Sequence, residues 1–490
     1  MSGSEEFVSL AVGGDPHWFA KLFVFYMSTL VGVPLGILLC RIDKRFIHFF
    51  FCLMLLSICE MDRTGISFMT REHYKAATRG LEISLTDLIA VILFVSILLR
   101  PKEFPIRGLI PLSIPYFLYL TIAFASWAFS ESSLPIPAPY RTSKGTYYPP
   151  ELFEFELWLY PSFQILKVLK GFFICWVTAN LVRNDKFLRT FVYSIAIVIV
   201  YITILSLHER YIGGRHRVRI SISHPNDLAT FIAAAGAVIF PFIFAAKQLS
   251  KSLIAWVLVI CVCIVEVLTI SRGGLLAFAF VMLMSSIFIF RRYLCMRNVL
   301  LVALAVLMGL VISFRAKDTL FQRFTEEVSV EGSVNERTDM SKQAVLMANE
   351  HFLGVGLGNF SAWAWHGYAE RANPELEPGL PIHNIWALNL SELGWLGLFA
   401  FVCIWVRYYS LSLMTWFGKN SELAGLLLVG CTTGTVAIHI QSLVHFSYRQ
   451  QAVFALMQVM MGVCMGIVCL KREQEKKERL HRQALAYQMG

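Results

Sequence analysis

Long apolar runs separated by short polar or basic segments make up most of the chain. Most of the runs are roughly 17 to 23 residues long, which is the length that an α-helix needs to cross a bilayer. They are continuous rather than alternating, so they predict helices and not a β-barrel. We predict thirteen spans, at about 18–40, 46–59, 85–99, 109–129, 163–181, 187–207, 227–246, 252–270, 274–290, 298–314, 385–406, 422–444 and 451–470. The run at 46–59 is short, and the count falls to twelve if it is re-entrant.

Composition supports this interpretation. Hydrophobic residues make up 57% of the 490 positions and charged residues 16%, which excludes an ordinary soluble globular domain. The first run lacks a small-residue cleavage pattern and is too long for a signal peptide, so we expect a retained span. The predicted fold class is an all-α polytopic membrane protein with about 12–13 transmembrane helices and a large loop. The 11 cysteines lie in or beside the spans, so we expect neither a disulfide framework nor a metal site.

Basic residues fix the predicted orientation. If residues 41–45 lie inside, alternation of the spans also places a set of other basic segments inside. These segments are 100–107, 183–189, 247–251, 291–297, 407–420 and 471–490. All of them carry Lys or Arg, as the positive-inside rule requires. The formal net charge of +10 therefore indicates membrane orientation rather than nucleic-acid binding.

The alternation divides the chain into five parts. They are N-terminal helices over 1–207 with an outside loop at about 130–161, helices with an arginine-rich outside segment over 208–314, a large outside loop over 315–384, C-terminal helices over 385–470, and a basic tail over 471–490. The tail is expected to be a solvated helix. The loop at 130–161 is rich in proline and aromatic residues. We interpret it as an interfacial aromatic belt or as a stacking platform for sugar rings.

Two outside features break the charge rule. Residues 208–226 carry a cluster of arginines, namely Arg210, Arg215, Arg217 and Arg219. Guanidinium groups bind phosphate and diphosphate in a bidentate way, so the cluster predicts such a ligand; contact with anionic headgroups or acidic loop residues is the alternative. Arg272 lies in a tight turn at the same membrane edge, where charge is usually functional, although a snorkelling anchor is the alternative.

His383 closes a long polar stretch and is followed by Asn384 and a new apolar run. An imidazole at this boundary is well placed to exchange a proton with a polar substrate, although a lone histidine is more often structural. Glu392 lies nine residues further on, on the opposite side of an ideal helix, so the two are not expected to pair. His445 and Arg449, at the outside end of the last hairpin, are candidates to line the same cavity.

The polar stretch before His383 contains two local signals. A helix is predicted from about Thr338 to Glu350, with Thr338 or Asp339 as its cap and Arg337 just before it. The segment Gly354-Val-Gly-Leu-Gly-Asn359 has neither the spacing of a dinucleotide fingerprint nor a following Lys-Ser/Thr. It is therefore predicted to be a loop turn.

These pieces occur in a fixed order along residues 210 to 400. They are Arg217 followed by His224-Pro-Asn226, then Ser271-Arg272-Gly-Gly, then Arg337 before Gly354-Val-Gly-Leu-Gly-Asn359, then His383-Asn384 with Glu392-Leu-Gly394. In this order, on a polytopic chain, they resemble the O-antigen ligase and O-antigen polymerase superfamily of bacterial inner-membrane glycosyltransferases. One difference is Ile220-Ser-Ile-Ser223, where family members often have Gly-Thr-Phe before the Pro-Asn.

The resemblance implies a helical fold with a large periplasmic loop, of the GT-C-like kind shared by lipid-linked sugar transferases. It implies a glycan donor on undecaprenyl diphosphate and a glycan or lipid A-core acceptor. Arg217 and Arg272, with Arg215 and Arg219 as further candidates, would hold the diphosphate, and His383 would act on the acceptor hydroxyl. The implied location is the inner membrane, with the active site facing the periplasm. Arg337, Asn384 and Arg449 are possible supporting residues.

A mechanism consistent with the resemblance follows from the residues alone. Two arginines neutralise a diphosphate leaving group without a metal or other cofactor, and neutral His383 serves as the base. Attack from the opposite face would invert the anomeric centre. A ligase, a polymerase and a protein O-oligosaccharyltransferase all remain open. A polysaccharide flippase or a noncatalytic scaffold is the alternative outside this enzyme class.

Overall fold

The computed structural model describes most of the chain with its side chains. The described residues are 18–68, 80–130, 140–141, 147–148, 157–222, 224–245, 249–293, 296, 299–300, 328–374, 382–418 and 420–489. The predicted span at 298–314 lies almost wholly outside these residues. So do most of the loop at 130–161 and two parts of the large loop, 315–327 and 375–381.

Helices account for nearly all of the described structure. We number them α1 Trp18–Met27, α2 Val33–Ile42, α3 Arg45–Cys59, α4 Met61–Thr64, α5 Leu85–Leu98, α6 Ser113–Phe129, α7 Leu159–Leu181, α8 Asp185–Tyr211, α9 Pro225–Ile239, α10 Pro241–Ala245, α11 Leu249–Thr269, α12 Arg272–Tyr293, α13 Val328–Glu350, α14 Phe360–Trp363, α15 Ala369–Ala372, α16 Ile385–Phe417, α17 Glu422–Gln441 and α18 Gln451–Met489. Two short antiparallel pairs accompany them: β1 Ile66–Phe68 with β2 Leu81–Ile83, and β3 Tyr140–Arg141 with β4 Tyr147–Tyr148.

The predicted fold class is confirmed: the protein is an all-α polytopic membrane protein. Nine helices among the described residues are long and apolar enough to cross a membrane. They are Ala20–Ile42, Leu159–Leu181, Asp185–Tyr211, Pro225–Ala245, Ser250–Thr269, Arg272–Arg291, Ile385–Phe417, Glu422–Gln441 and Gln451–Leu485. Three shorter apolar helices, α3, α5 and α6, correspond to the predicted runs at 46–59, 85–99 and 109–129.

Two helix boundaries differ from the predictions. Helix α13 begins at Val328, so neither Thr338 nor Asp339 caps it; Asp339 instead accepts a hydrogen bond from Asn373 at 2.8 Å. Helix α16 continues to Phe417, so the segment predicted as a loop over 407–420 is mostly helical. Arg407 ends the most apolar part of this helix, but a single charge does not interrupt its backbone hydrogen bonds.

Loops that were predicted to lie on one side of the membrane lie together in space. At one end, which we call the basic end, Arg100 donates to the carbonyl of Cys40 at 3.1 Å, and Arg107 pairs with Glu473 at 2.7 Å. At the opposite end, which we call the site end, the Val218 amide donates to the Leu268 carbonyl at 3.2 Å. These contacts agree with the predicted alternation of the spans.

Helices α9 and α10 form the centre of the bundle. The apolar window of Pro225–Ala245 is 94% buried, and α9 packs mainly against α11, α12 and α17. Small residues allow the close approach: a Cβ added at Gly430 of α17 would lie 2.8 Å from the Ala237 carbonyl oxygen of α9. Helices α9 and α17 therefore pack with their backbones close together.

Candidate functional site

His383 is fixed at the junction between the large loop and α16. Asn384 caps this helix, since its Oδ1 accepts hydrogen bonds from the amides of Trp386 at 2.9 Å and Ala387 at 3.3 Å. The Ile385 amide donates to the Ser442 carbonyl at 3.0 Å, which ties the start of α16 to the end of α17. His383 therefore lies where a polar loop meets a membrane helix, as predicted.

Three imidazoles form a row at the site end. The rings of His383 and His445 stack with centroids 5.6 Å apart, and those of His445 and His224 stack with centroids 5.0 Å apart. The ring of Phe446 lies against both His383 and His445. The three histidines come from different parts of the chain: before α16, after α17 and before α9. We call them the histidine row.

Asp227 anchors the middle ring of the row. Its carboxylate is fully buried and lies in the first turn of α9, where the helix dipole favours negative charge. The Ser447 hydroxyl donates to Asp227 Oδ1 at 2.7 Å and lies 2.9 Å from His445 Nδ1, which is itself 3.3 Å from the carboxylate. Because the Ser447 proton is directed to Asp227, this geometry fits a His445 tautomer that carries its proton on Nδ1.

The sequence motif at the start of α9 explains this local structure. The His224 ring caps the helix by accepting a hydrogen bond from the Asn226 amide at 3.1 Å, and Pro225 occupies the first helical position. Asp227 and Ser447 are not among the site residues predicted from the sequence. The available signal was an acidic residue just inside a predicted span, which is costly unless it has a partner.

His383 is half-buried, and its Nδ1 is buried without a hydrogen-bond partner among the described residues. Burial is the main cause that lowers the pKa of His383 to about 4, and the neighbouring His445, Arg337 and His224 lower it further. The imidazole is therefore neutral at neutral pH and has a lone pair available to accept a proton.

Arginines lie at both ends of the histidine row. Burial and the neighbouring His445 lower the pKa of His224, and the charges of Arg217 and Arg219 act in the same direction. The positive charge of Arg337, on α13, lowers the pKa of His383 at the other end of the row. An anion placed at the row would be attracted by cations from both sides.

Arg217 and Arg272 belong to two loops that are joined directly. Arg217 donates from Nε to the carbonyl of Thr269 at 3.3 Å and from Nη2 to Asn226 Oδ1 at 3.4 Å. Thr269 ends α11, and Arg272 begins α12 after a three-residue step. The structure thus brings the arginine-rich segment, the Ser271-Arg272 turn and the start of α9 to one place.

Arg215 has a different environment from Arg217. Its guanidinium pairs with Glu209 at 2.6 Å, and the same carboxylate accepts hydrogen bonds from the amides of Arg219 at 3.0 Å and Ile220 at 2.6 Å. Glu209 therefore shapes the loop and neutralises Arg215. Among the arginines of this segment, Arg217 has the closer link to the Arg272 turn.

Two isoleucines in these loops have left-handed backbone conformations. Ile220 has φ 47° and Ile270 has φ 53°, which is a genuine outlier for a β-branched residue. One follows Arg219 and the other lies two residues before Arg272. Such strain persists only where neighbouring contacts enforce it, and it is concentrated at functional sites.

The remaining candidate residues have supporting positions. Arg449 pairs with Glu392 at 2.5 Å; the Glu392 side chain is buried and that of Arg449 is partly buried. Glu392 does not pair with His383, as expected.

The glycine segment is a turn, as predicted: the Gly356 amide donates to the Glu392 carbonyl at 3.0 Å, and Gly354 has φ 74°. This turn supports α16 at Gly394, where the helix is kinked with φ 67°.

Within the described part of the chain, no group of three or more His, Cys, Asp or Glu side chains has a geometry that could hold a metal ion. The arrangement instead offers a neutral imidazole, an oriented second imidazole and cations on two sides. These groups can accept a proton and bind a phosphate-bearing substrate.

One protein-family model matches part of the chain. Residues 256–402 match the O-antigen ligase family model, a range that contains Arg272, Arg337 and His383. No curated protein matches the chain significantly. The histidine row and its arginines extend the site beyond the matched range, to Arg217 and His224 on one side and His445 on the other. The resemblance predicted from the sequence is confirmed: this match supports the O-antigen ligase and polymerase superfamily.

Proposed function

We propose that this protein is a glycosyltransferase that moves a glycan from undecaprenyl diphosphate to a sugar hydroxyl at the periplasmic face of the inner membrane. The family match supports O-antigen ligase or polymerase-type function. The observation that carries the finer proposal is the histidine row with arginines at both ends. The basic end corresponds to the cytoplasmic side by the positive-inside rule, so the row faces the opposite side.

In this proposal, Arg217 and Arg272 bind the diphosphate of the donor. Their joined loops place two permanent cations where the leaving group gains negative charge. Arg219 adds positive potential from the same segment. Neutralisation by these side chains requires no metal ion, and the absence of a nucleotide-binding motif fits a donor carried on a lipid.

His383 then acts as the general base. Its neutral imidazole takes the proton of the acceptor hydroxyl while the hydroxyl oxygen forms a bond to the anomeric carbon. The bond from that carbon to the diphosphate oxygen breaks, and the diphosphate keeps the electron pair. Attack from the face opposite the leaving group inverts the anomeric centre.

His445 and Asp227 serve as positioning residues. The Asp227–Ser447 hydrogen bond holds His445, and the His445 ring in turn supports the stacked ring of His383. Asn384 fixes the backbone on the other side by capping α16. Arg337 helps to keep His383 neutral, and Arg449 stabilises the kinked helix through Glu392.

The test is glycan profiling of a strain that lacks this gene and is complemented with wild type, His383→Ala or His366→Ala. His366 is an exposed histidine elsewhere in the large loop and is the matched control. We expect His383→Ala to abolish transfer and His366→Ala to restore the wild-type profile. Unpolymerised single repeats on the acceptor would identify a polymerase, whereas full-length chains left on the carrier lipid would identify a ligase. A wild-type profile from His383→Ala would refute the proposed base.

A further inference from the structure

A second site lies at the basic end, remote from the histidine row. A groove of about 810 Å³ opens between α8, α10, α11 and α17. Its inner walls are apolar and include Val192, Ala196, Phe242, Ala255, Leu258 and Leu426. Tyr193 and Ile254 on its edges are 66% and 61% exposed, so the groove is open sideways to the surrounding bilayer.

Among the described residues, four charged side chains line the mouth of the groove. Arg189 and Lys251 are cations, and Asp185 and Glu422 are carboxylates. Among the described residues, no ion pair within 4.0 Å joins either cation to either carboxylate, although all four line one groove. Asp185 accepts a hydrogen bond from Ser421 at 3.2 Å, which places it beside the first residue of α17. The separation leaves room for a ligand that carries both signs of charge.

The depth of the groove restricts its occupant to one leaflet. Arg189 and Ala196 of α8 are seven residues apart, as are Lys251 and Leu258 of α11, which corresponds to roughly 10 Å along each helix. One leaflet contributes about 15 Å to the hydrocarbon core. The groove therefore accommodates a headgroup at its mouth and an acyl chain along its walls, and it does not reach the site end.

We infer that this groove binds a zwitterionic phospholipid with a primary ammonium group, of the phosphatidylethanolamine type. Its phosphate pairs with Arg189 and Lys251, its ammonium group donates to Asp185 and Glu422, and one acyl chain lies along the apolar walls. An anionic headgroup would leave two carboxylates facing negative charge. A choline headgroup has no N–H donor for those carboxylates.

The lipid would brace the central helices. Phe242 belongs to α10 and Leu426 to α17, and α9 and α17 carry, at their opposite ends, the residues that lead into the histidine row. A lipid in the groove would support α9 and α17 at the place where α10 and α11 would otherwise face an open cleft. The inference is independent of the proposed glycosyl transfer.

The test is native mass spectrometry of the purified full chain with phosphatidylethanolamine, phosphatidylcholine and phosphatidylglycerol of equal chain length. We expect wild type to retain phosphatidylethanolamine best. Arg189→Ala/Lys251→Ala should lower this retention by about tenfold or more, because each cation at a headgroup contributes about a factor of five. Lys186→Ala removes an exposed cation from the same helix outside the groove and should have no effect.

Two further variants separate headgroup recognition from general loss of structure. Asp185→Asn/Glu422→Gln should lower phosphatidylethanolamine retention and raise that of phosphatidylglycerol. Ala196→Trp should block the chain-binding wall. In wild type, a photoactivatable phosphatidylethanolamine should label peptides from α8 and α11. Equal retention of the three lipids, preference for phosphatidylglycerol, or labelling only elsewhere would overturn the inference.

Discussion

Ser447 and Asp227 share a 2.7 Å hydrogen bond that joins the segment after α17 to the first turn of α9. The pair fixes His445, whose ring stacks on that of His383. In the Ser-His-Asp triad a buried carboxylate orients the imidazole that acts as base; here the carboxylate orients a neighbouring imidazole instead. The site therefore depends on residues that lie outside the region matched by the O-antigen ligase family.

Asp227→Asn should weaken transfer by about 10–100-fold, which corresponds to the loss of a charge-assisted hydrogen bond. The reason is that a neutral amide holds Ser447 and His445 less firmly. Initial rates with a lipid-linked donor in nanodiscs measure the effect. Asp227→Glu is the conservative variant and should restore part of the rate. Unchanged rates in Asp227→Asn would remove this residue from the positioning network.

The pH profile should report the lowered pKa of His383. The ordinary pKa of 6.5 falls to about 4, and only the neutral form accepts a proton. The rate of transfer should therefore stay nearly constant as the pH falls from 7 to about 5.5, and decline as it approaches 4.

Arg337→Ala provides the control for this assignment. The positive charge of Arg337 lowers the pKa of His383, so its removal should move the acid limb of the profile to higher pH. Lys342→Ala removes a cation from the same helix, one that pairs with Asp339 at 2.7 Å, and should leave the limb in place. An acid limb near pH 6.5 in wild type would contradict a buried, neutral base.

Gly354→Ala should destabilise the protein by about 2–4 kcal/mol, from left-handed strain together with overpacking. Gly354 has φ 74°, and an added Cβ would lie 2.3 Å from the carbonyl carbon of Glu392. Gly367→Ala is the matched control, because Gly367 has φ 98° but open space around its Cα. It should cost only about 1–2 kcal/mol. Unfolding of the purified proteins measures both, and equal effects would exclude a packing role for Gly354.

Arg449→Ala should lower the unfolding free energy by about 3–5 kcal/mol, because it leaves Glu392 buried without its ionic partner. Removing both partners in Arg449→Ala/Glu392→Ala should restore part of that loss. The exposed pair between Arg371 and Glu350 is the control, and Arg371→Ala should hardly change the unfolding temperature. A double variant that is as unstable as the sum of the single variants would indicate that the pair is not coupled.

Apolar runs predicted the helices well because bilayer thickness fixes the length of each span. The run at 85–99 corresponds to α5 Leu85–Leu98, and the run at 422–444 to α17 Glu422–Gln441. The predicted C-terminal end of α16 was wrong because Arg407 marks the edge of the apolar run and not the end of the helix. The predicted start of α13 was wrong because bilayer thickness does not fix the length of a polar helix.

The residues of the candidate site were only partly predictable. The arginines could be found because they break the charge pattern of membrane segments, and His383 because it lies where a long polar stretch meets an apolar run. Asp227 offered one signal, an acidic residue just inside a predicted span. Ser447 and the pairing of Arg449 with Glu392 could not be found, because their partners lie far away in sequence and only packing brings them together. The histidine row likewise could not be predicted, because its three histidines come from separate segments of the chain that meet only in the folded protein.

The burial of α9 has a consequence for how the protein is made. This helix leaves the ribosome before α17, which is among its main partners in the finished bundle. Until α17 has been inserted, the first turn of α9 presents Asp227 without Ser447, which lies beyond α17. Domains generally form in order of synthesis, but this bundle closes only when its C-terminal helices arrive. Premature termination before α17 would therefore leave α9 in the membrane without a main packing partner and Asp227 without Ser447.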